Sequence, residues 1–347
     1  MSSGVVYALS AALLFGLGTP LAKLLLANVS PLMLAALLYL GSGIGLALLR
    51  MVRREASQLP RGEEWFWLAG AVLAGGVAGP VLLMLGLSGF SASGASLLLN
   101  SEAVFTALLA WFVFKENFDR RIAWGMVAIV CGAVVLSGTT GLGPQSGNLG
   151  SALLIVAACL AWGIDNNLTR KIALTDASFI AMSKGLSAGV VSLGLAWLSG
   201  AVLPTFTVTL QVMVLGFASY GVSLVLFVLA LRHLGTARTG AYFSVAPFAG
   251  ASLSVLLLGE PVTTPLMLGG LLMLIGVALH LSERHLHEHD HAVIEHAHEH
   301  SHGDDPHHAH DHAWPVASHQ RHSHIHHHPL LHHAHVHFPD EHHRHDH

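Results

Sequence analysis

Up to about Leu281 the chain is an almost unbroken series of apolar stretches, each close to the length that crosses a bilayer. A spanning helix needs roughly 20 apolar residues, because about 30 Å of hydrocarbon is crossed at 1.5 Å per residue. Ten stretches reach that length: 4–27, 31–50, 65–87, 91–114, 120–138, 149–171, 177–199, 208–231, 236–258 and 265–282. Charged residues make up only 10% of the chain, against about 25% in a soluble domain. The 36 glycines suit helices that approach closely in lipid. These features predict an all-α integral membrane protein with ten transmembrane helices.

The breaks between stretches carry turn chemistry: "NVSP" after the first, "SGFSAS" after the third and "GTTGLGPQSGN" after the fifth. The last is uncharged and rich in glycine, which marks 139–148 as a linker between two halves, 1–138 and 149–282. Cys131 and Cys159 both fall in apolar stretches, with no CxxC pair, and are expected to pack as small hydrophobes. The first apolar run holds Lys23 near its far end and lacks a clear cleavage site, so it reads as a retained helix.

Basic residues orient the bundle. Arg50, Arg53, Arg54 and Arg61 lie between stretches two and three. Lys115, Arg120 and Arg121 lie between four and five, Arg170 and Lys171 between six and seven, and Arg232 and Arg238 between eight and nine. With ten crossings all of these share one side, and positive charge stays cytoplasmic. The expectation is a multi-pass protein of the cytoplasmic (inner) membrane with both termini in the cytoplasm.

The halves resemble each other. "FGLGTPLAK" (Phe15 to Lys23) aligns with "WGIDNNLTR" (Trp162 to Arg170). "FKENFDRRIAWGMVAIVCGAVVL" aligns with "LGEPVTTPLMLGGLLMLIGVALH", bringing Glu116 onto Glu260, Gly125 onto Gly269 and Gly132 onto Gly276. Each half has an odd number of spans, so the second enters from the opposite side. That is an inverted-topology repeat, a common plan for secondary transporters. The glycine pairs recur at one helix face and are expected to serve packing. Ten spans in two five-helix halves, with an acidic residue closing the fourth helix of each, resemble the drug/metabolite transporter superfamily and, within it, its EamA-type members. The resemblance covers about 4–282. It implies a secondary transporter for a small solute, in a family that handles amino acids, nucleotide-linked metabolites and drugs. Pro247 stands in the family's usual place in the second half, where the first half has Glu102-Ala103.

A charge at mid-bilayer costs at least ~2.5–3.5 kcal/mol, so each one needs a reason. Glu102 falls near the middle of the fourth stretch without an obvious partner. A carboxyl there can take up a proton, as a proton-coupling group must. Asp165 and Lys184 share a depth on sequential helices, which predicts a pair serving either helix packing or substrate contact. Asn166 and Asn167 extend this polar group, and Asn100 lies half a turn before Glu102. Glu102, Asp165, Lys184, Asn100, Asn166 and Asn167 are therefore the candidate pathway residues. Lys23 can snorkel to the outer surface, and Glu116 and Glu260, at helix ends, suit capping. Tyr7, Tyr220 and Tyr242 suit packing or the interface. Enzyme signatures such as a nucleophile elbow, a phosphate-binding loop or a dinucleotide fingerprint are absent from the sequence, so the chain is not expected to be an enzyme. Active transport would then draw on an ion gradient. A basic nucleic-acid-binding surface is also missing.

Of the 28 histidines, 26 lie at or beyond His285. From 283 the chain has no hydrophobic period and is interrupted by Pro306, Pro315, Pro329 and Pro339, which predicts a disordered His-rich tail over 283–347. Neutral imidazole suits Zn, Ni, Co and Cu. The candidate ligands are His285, His287, His289, His291, His296, His298, His300, His302, His326, His327, His328, His332, His333, His335 and His337. A solvated low-complexity tail and a pH sensor are alternative readings. The expected partners are the lipid bilayer, a small solute and transition-metal ions, with no cofactor required for transport. The leading function is a small-solute exporter with a metal-binding accessory tail. A transition-metal or metal-chelate efflux protein comes next, then a membrane-anchored metal store.

Overall fold

The structure, a computed structural model, describes residues 3–53, 60, 62–113, 120–138, 149–172, 176–281, 286–291, 294–300, 322–328 and 331–336. It divides into two compact units, Met1–Glu283 and Arg284–His347.

In the first unit every element among the described residues is helical. In the first half these are α1 (Ser3–Leu25), α2 (Pro31–Arg53), α3 (Glu64–Ala71), a π-helical segment (Val72–Ala78), α4 (Gly79–Ser88), α5 (Ala92–Leu98), α6 (Ser101–Phe112) and α7 (Arg120–Gly138). The second half has α8 (Leu149–Arg170), α9 (Ala177–Leu198), α10 (Phe206–Gly216), a second π segment (Phe217–Val222), α11 (Ser223–Phe243), α12 (Ala246–Leu258) and α13 (Thr264–Leu281). Among the described residues eight helical runs are long and apolar enough to cross a membrane, and α12 and residues 264–279 of α13 are shorter apolar helices.

Four expected continuous spans are interrupted, one of them 208–231, which carries the second π segment. The stretch 91–114 is split at Leu99–Asn100 into α5 and α6. The stretch 65–87 carries the first π segment between α3 and α4, where Gly79 N bonds Ala74 O, five residues back. The stretch 236–258 is divided at Ser244–Val245, leaving α12 with Pro247 in its first turn. The end of α11 also reverses direction, because the rings of Phe227 and Phe243 lie 4.8 Å apart. A straight helix would hold them ~24 Å apart.

The packing obeys a two-fold exchange of the halves. α1 packs on α11 and α12, and α8 packs correspondingly on α4 and α6. α2 meets α9 and α7 meets α13, each the partner of its own repeat-mate. The α7–α13 seam uses the glycines aligned above. A Cβ on Gly132 would meet Gly269 O at 2.8 Å, and one on Gly276 would meet Gly125 O at 2.6 Å. Both are closer than a methyl group tolerates next to backbone. Met33, Leu34, Leu38, Leu83, Met84, Leu87 and Ile155 fill the core between helices.

Charged groups hold helix ends together. Lys23 Nζ donates to Leu87 O at 2.6 Å and Phe90 O at 2.7 Å, at the end of α4. Glu260 accepts from Ala92 N at 2.7 Å and Ser93 N at 2.8 Å, at the start of α5. A cation thus meets free carbonyls at a helix C-terminus and an anion meets free amides at an N-terminus, each matched to the local dipole. The capping expected of Glu260 is present, while Lys23 is tied to backbone carbonyls rather than only reaching for the surface. Glu116 lies outside the described residues. At another corner Asp176 N-caps α9, accepting from Ser178 N at 2.9 Å, and takes a 2.8 Å ion pair from Arg50 on α2. Arg50 also donates to Ser178 Oγ. This clamp puts the end of α2 and the start of α9 on one side, as alternating crossings require. Cys159 is buried and Cys131 exposed, both as free thiols.

The second unit covers the segment expected to be a disordered tail. It carries β1 (Leu286–His291), β2 (Ile294–His300), β3 (His322–His328) and β4 (Leu331–Val336). β1 pairs antiparallel with β4, setting Leu286 opposite Val336, and β2 pairs antiparallel with β3, setting Ile294 opposite His328. The H-x-H alternation has a period of two, which is the period of a strand. The prolines that break helices fall outside the paired segments.

Candidate functional site

The polar residues inside the bundle gather around α8. Its residues 165 and 166 point about 100° apart around the helix axis, and each engages a different neighbour.

On one side, Asp165 accepts from Lys184 Nζ on α9, at 2.6 Å to Oδ1 and 2.5 Å to Oδ2. Thr169, one turn along α8, donates to Oδ1 at 2.9 Å. Asp165 and Lys184 are both buried, at 6% and 9% exposed, so the pair predicted from shared depth is present and removed from lipid and water. The carboxylate rests on Gly75 of the first π segment, where any Cβ would overlap it. The ladder explains why this segment is polar. Gly79 N reaches back to Ala74 O, and the next residue, Pro80, has no N–H to give Gly75 O. That carbonyl instead accepts from Tyr39 Oη at 3.0 Å and Trp162 Nε1 at 2.9 Å. Residues of α2, the π segment, α8 and α9 thus meet at the interface of the two halves.

On the other side, Asn166 Nδ2 donates to Glu102 Oε1 at 2.7 Å and to Thr106 Oγ1 at 3.2 Å, both on α6. Glu102 therefore has a partner that sequence alone did not supply. It stands in the first turn of α6, where the break at Leu99–Asn100 places a helix N-terminus inside the span and the positive end of the dipole favours an anion. Glu102 is half-buried and Asn166 exposed. The hydrogen-bond donor to Glu102 is thus a neutral amide, and the contact is not an ion pair.

Asn167 is buried and bonds Gly163 O at 2.8 Å and Thr106 O at 3.2 Å, tying α8 to α6. Asn100 points elsewhere. Its amide donates to Leu97 O at 2.9 Å and lies 3.9 Å from Met273 Sδ, so it fills the helix break and does not join the pathway group. The sequence reading missed Tyr39, Gly75, Trp162, Thr106 and Thr169. The one available signal was "GGVAGP" (Gly75 to Pro80), a proline inside a span that must leave a backbone carbonyl unserved. Among the described residues no group of three histidine, cysteine or acidic side chains stands together to hold a metal. The imidazoles of the fifteen candidate ligands lie outside the described side chains.

Two inverted helical halves, discontinuous helices and charged groups at their interface define a multi-pass membrane transporter for small solutes, not an enzyme. The EamA-like transporter family model matches residues 2–138 and again 149–282, one match per repeat, and the chain belongs to that family. An uncharacterized transporter of Methanothermobacter thermautotrophicus is 28% identical over 292 residues, 79% of this chain and 84% of its own length. A protein of Salmonella typhimurium described as a "probable amino-acid metabolite efflux pump" is 24% identical over 205 residues, 56% of this chain and 68% of its own. Its namesake in Escherichia coli is 25% identical over the same length. A solved crystal structure with 20% sequence identity superposes with a TM-score of 0.60, covering 80% of this chain and 95% of that one. It shows the fold alone.

Proposed function

We propose that the protein is a secondary exporter of small metabolites, amino-acid-like solutes among them, acting across the cytoplasmic membrane through ten spans with both termini in the cytoplasm. The Asp165–Lys184 pair carries this reading. Taking two charges out of water costs several kcal/mol per ion, and a helical anchor has no use for such a pair at the junction of its halves. Glu102 takes up and releases the coupling proton, with Asn166 holding its carboxylate, while Asp165 and Lys184 gate the pathway or bind solute. The relatives described as efflux pumps support outward transport. No cofactor is needed for this cycle. The His-rich tail acts as an accessory that binds Zn, Ni, Co or Cu, since the membrane unit completes both repeats without it.

Purified full-length protein in proteoliposomes tests the reading with a panel of the twenty L-amino acids and their metabolites, under an imposed proton gradient. Gradient-driven flux that is lost in Glu102→Gln supports it, and no flux of any solute in the wild type overturns it. Truncation after Ser282 separates the tail from the transporter. Unchanged solute flux with lost Zn or Ni binding is expected. Loss of all flux by a truncated protein that still reaches the membrane would make the tail part of the mechanism.

A further inference from the structure

The two halves match around their π segments, and the match exposes a difference. The ladder slips at Gly79 in the first half and at Ser223 in the second, where Ser223 N reaches Ala218 O. The offset that carries Gly125 onto Gly269 carries Gly79 onto Ser223 and Gly75 onto Ser219. Asp165 rests on Gly75, and its aligned counterpart Gly18 faces Ser219.

In the first half the slipped carbonyl takes two N–H and O–H donors, and a carboxylate holding an ammonium sits against it. In the second half Trp162 is replaced by Phe15, which has no N–H, and Asp165 by Gly18, which has no side chain. Ser219 is 1% exposed, and its hydroxyl has no hydrogen-bond partner among the described residues. The return to the four-residue ladder at Ser223 passes over the Ser219 carbonyl as well. Close packing does not require a glycine at position 18. A Cβ there would lie 3.4 Å from Ser219 Cβ and 3.7 Å from Tyr220 Cε2, both ordinary contacts. Tyr220, whose ring edge faces Gly18, belongs to an aromatic cluster, 5.9 Å from Phe15 and 5.5 Å from Tyr39, with Phe15 5.5 Å from Phe243. Tyr39 joins the two sites, its hydroxyl on Gly75 O and its ring on Tyr220.

We propose that Ser219, the space beside Gly18 and the rings of Tyr220, Phe15 and Tyr39 form a subsite for the ammonium group of an organic amine or amino acid. The Ser219 oxygens accept from its N–H groups, and the aromatic surroundings favour the cation. The solute ammonium would donate at this segment as Tyr39, Trp162 and Lys184 donate at the first π segment. The proposal rests on the transport reading and adds the chemical group that is recognised.

The test uses full-length protein in proteoliposomes, with the best-transported L-amino acid of the panel and the 2-oxo acid of the same side chain. Gly18→Ala, which fills the space, and Ser219→Ala, which removes the hydroxyl, should each raise KM for the amino acid about tenfold, the loss of one hydrogen bond to a charged group. The rise should be much smaller for the 2-oxo acid. Ser219→Thr should restore the amino-acid KM, and the melting temperature should stay at the wild-type value in all three variants. An unchanged amino-acid KM in both alanine variants overturns the proposal, as does an equal rise for the 2-oxo acid. So does a Na+ requirement of the wild type that Ser219→Ala abolishes, which would mark an ion site. Wild-type liposomes that move no member of the panel defeat the transport reading itself, whereas wild-type flux with unaltered variants defeats only the subsite.

Discussion

Asp165 and Lys184 stand nineteen positions apart in sequence and meet at 2.5 Å between the sequential helices α8 and α9, buried against a glycine that has no room for a side chain. Neither charge forms another ion pair among the described residues, so each depends on the other. Asp165→Asn or Lys184→Met alone should destabilise the folded protein by about 3–5 kcal/mol, because an uncompensated charge stays buried. The Asp165→Asn/Lys184→Met double variant should recover much of that loss. Thermal unfolding of purified protein in detergent measures all three, and losses that simply add would show that the residues do not act as a pair.

Glu102 and Asn166 should separate activity from folding. Glu102→Gln keeps the shape and the first-turn position on α6 but removes the titrating group. Membrane-inserted amount should therefore stay near wild type while proton-driven flux falls by an order of magnitude or more, as for loss of a positioned acid–base group. Asn166→Ala should shift the pH profile of flux instead of abolishing it. Full proton-driven flux in Glu102→Gln would make the carboxyl incidental.

The glycine seam gives a stability prediction with an internal control. Gly132→Ala and Gly276→Ala each push a methyl into the backbone of the facing helix and should cost about 1–3 kcal/mol through overpacking. Gly194 on α9 has nothing within 4 Å of a built Cβ, so Gly194→Ala should be neutral or stabilising by up to about 1 kcal/mol. Melting temperatures of the three variants, compared in one detergent, check the order.

The Arg50–Asp176 clamp should respond to acid. Burial works against the Asp176 charge, but the Arg50 guanidinium and the amides of Ser178 and Phe179 hold its carboxyl below the usual range. A carboxyl whose pKa is lower folded than unfolded stabilises the fold fully above the unfolded value of ~3.9 and loses that effect as pH falls through the folded value. The clamp should therefore survive pH 5 intact and fail below about pH 4. Asp176→Asn should cost about 1 kcal/mol at neutral pH, in the range of a lost helix cap, and flatten the acid limb of the stability curve. An acid limb identical to wild type would remove Asp176 from the account.

The sequence by itself determined the membrane class, the two-fold repeat, the glycine seam and the Asp165–Lys184 pair. Each of these rests on spacing along the chain. A bilayer fixes how many apolar residues make a span, so hydropathy counts them. A repeat leaves matching residues at matching intervals, and shared depth on sequential helices brings Asp165 and Lys184 to one level. The tertiary structure decided what depends on rotation about helix axes and on breaks in the ladder. Depth put Glu102, Asn166 and Asn100 near one level, but only packing turned Asn166 toward Glu102 and Asn100 toward Met273. The breaks at Leu99–Asn100 and Ser244–Val245 lie inside apolar stretches that hydropathy reads as continuous. The Gly75 carbonyl belongs to the backbone and so carries no sequence signature beyond Pro80. Its donors, Tyr39 and Trp162, come from helices far apart in sequence that only the exchange of the two halves brings together.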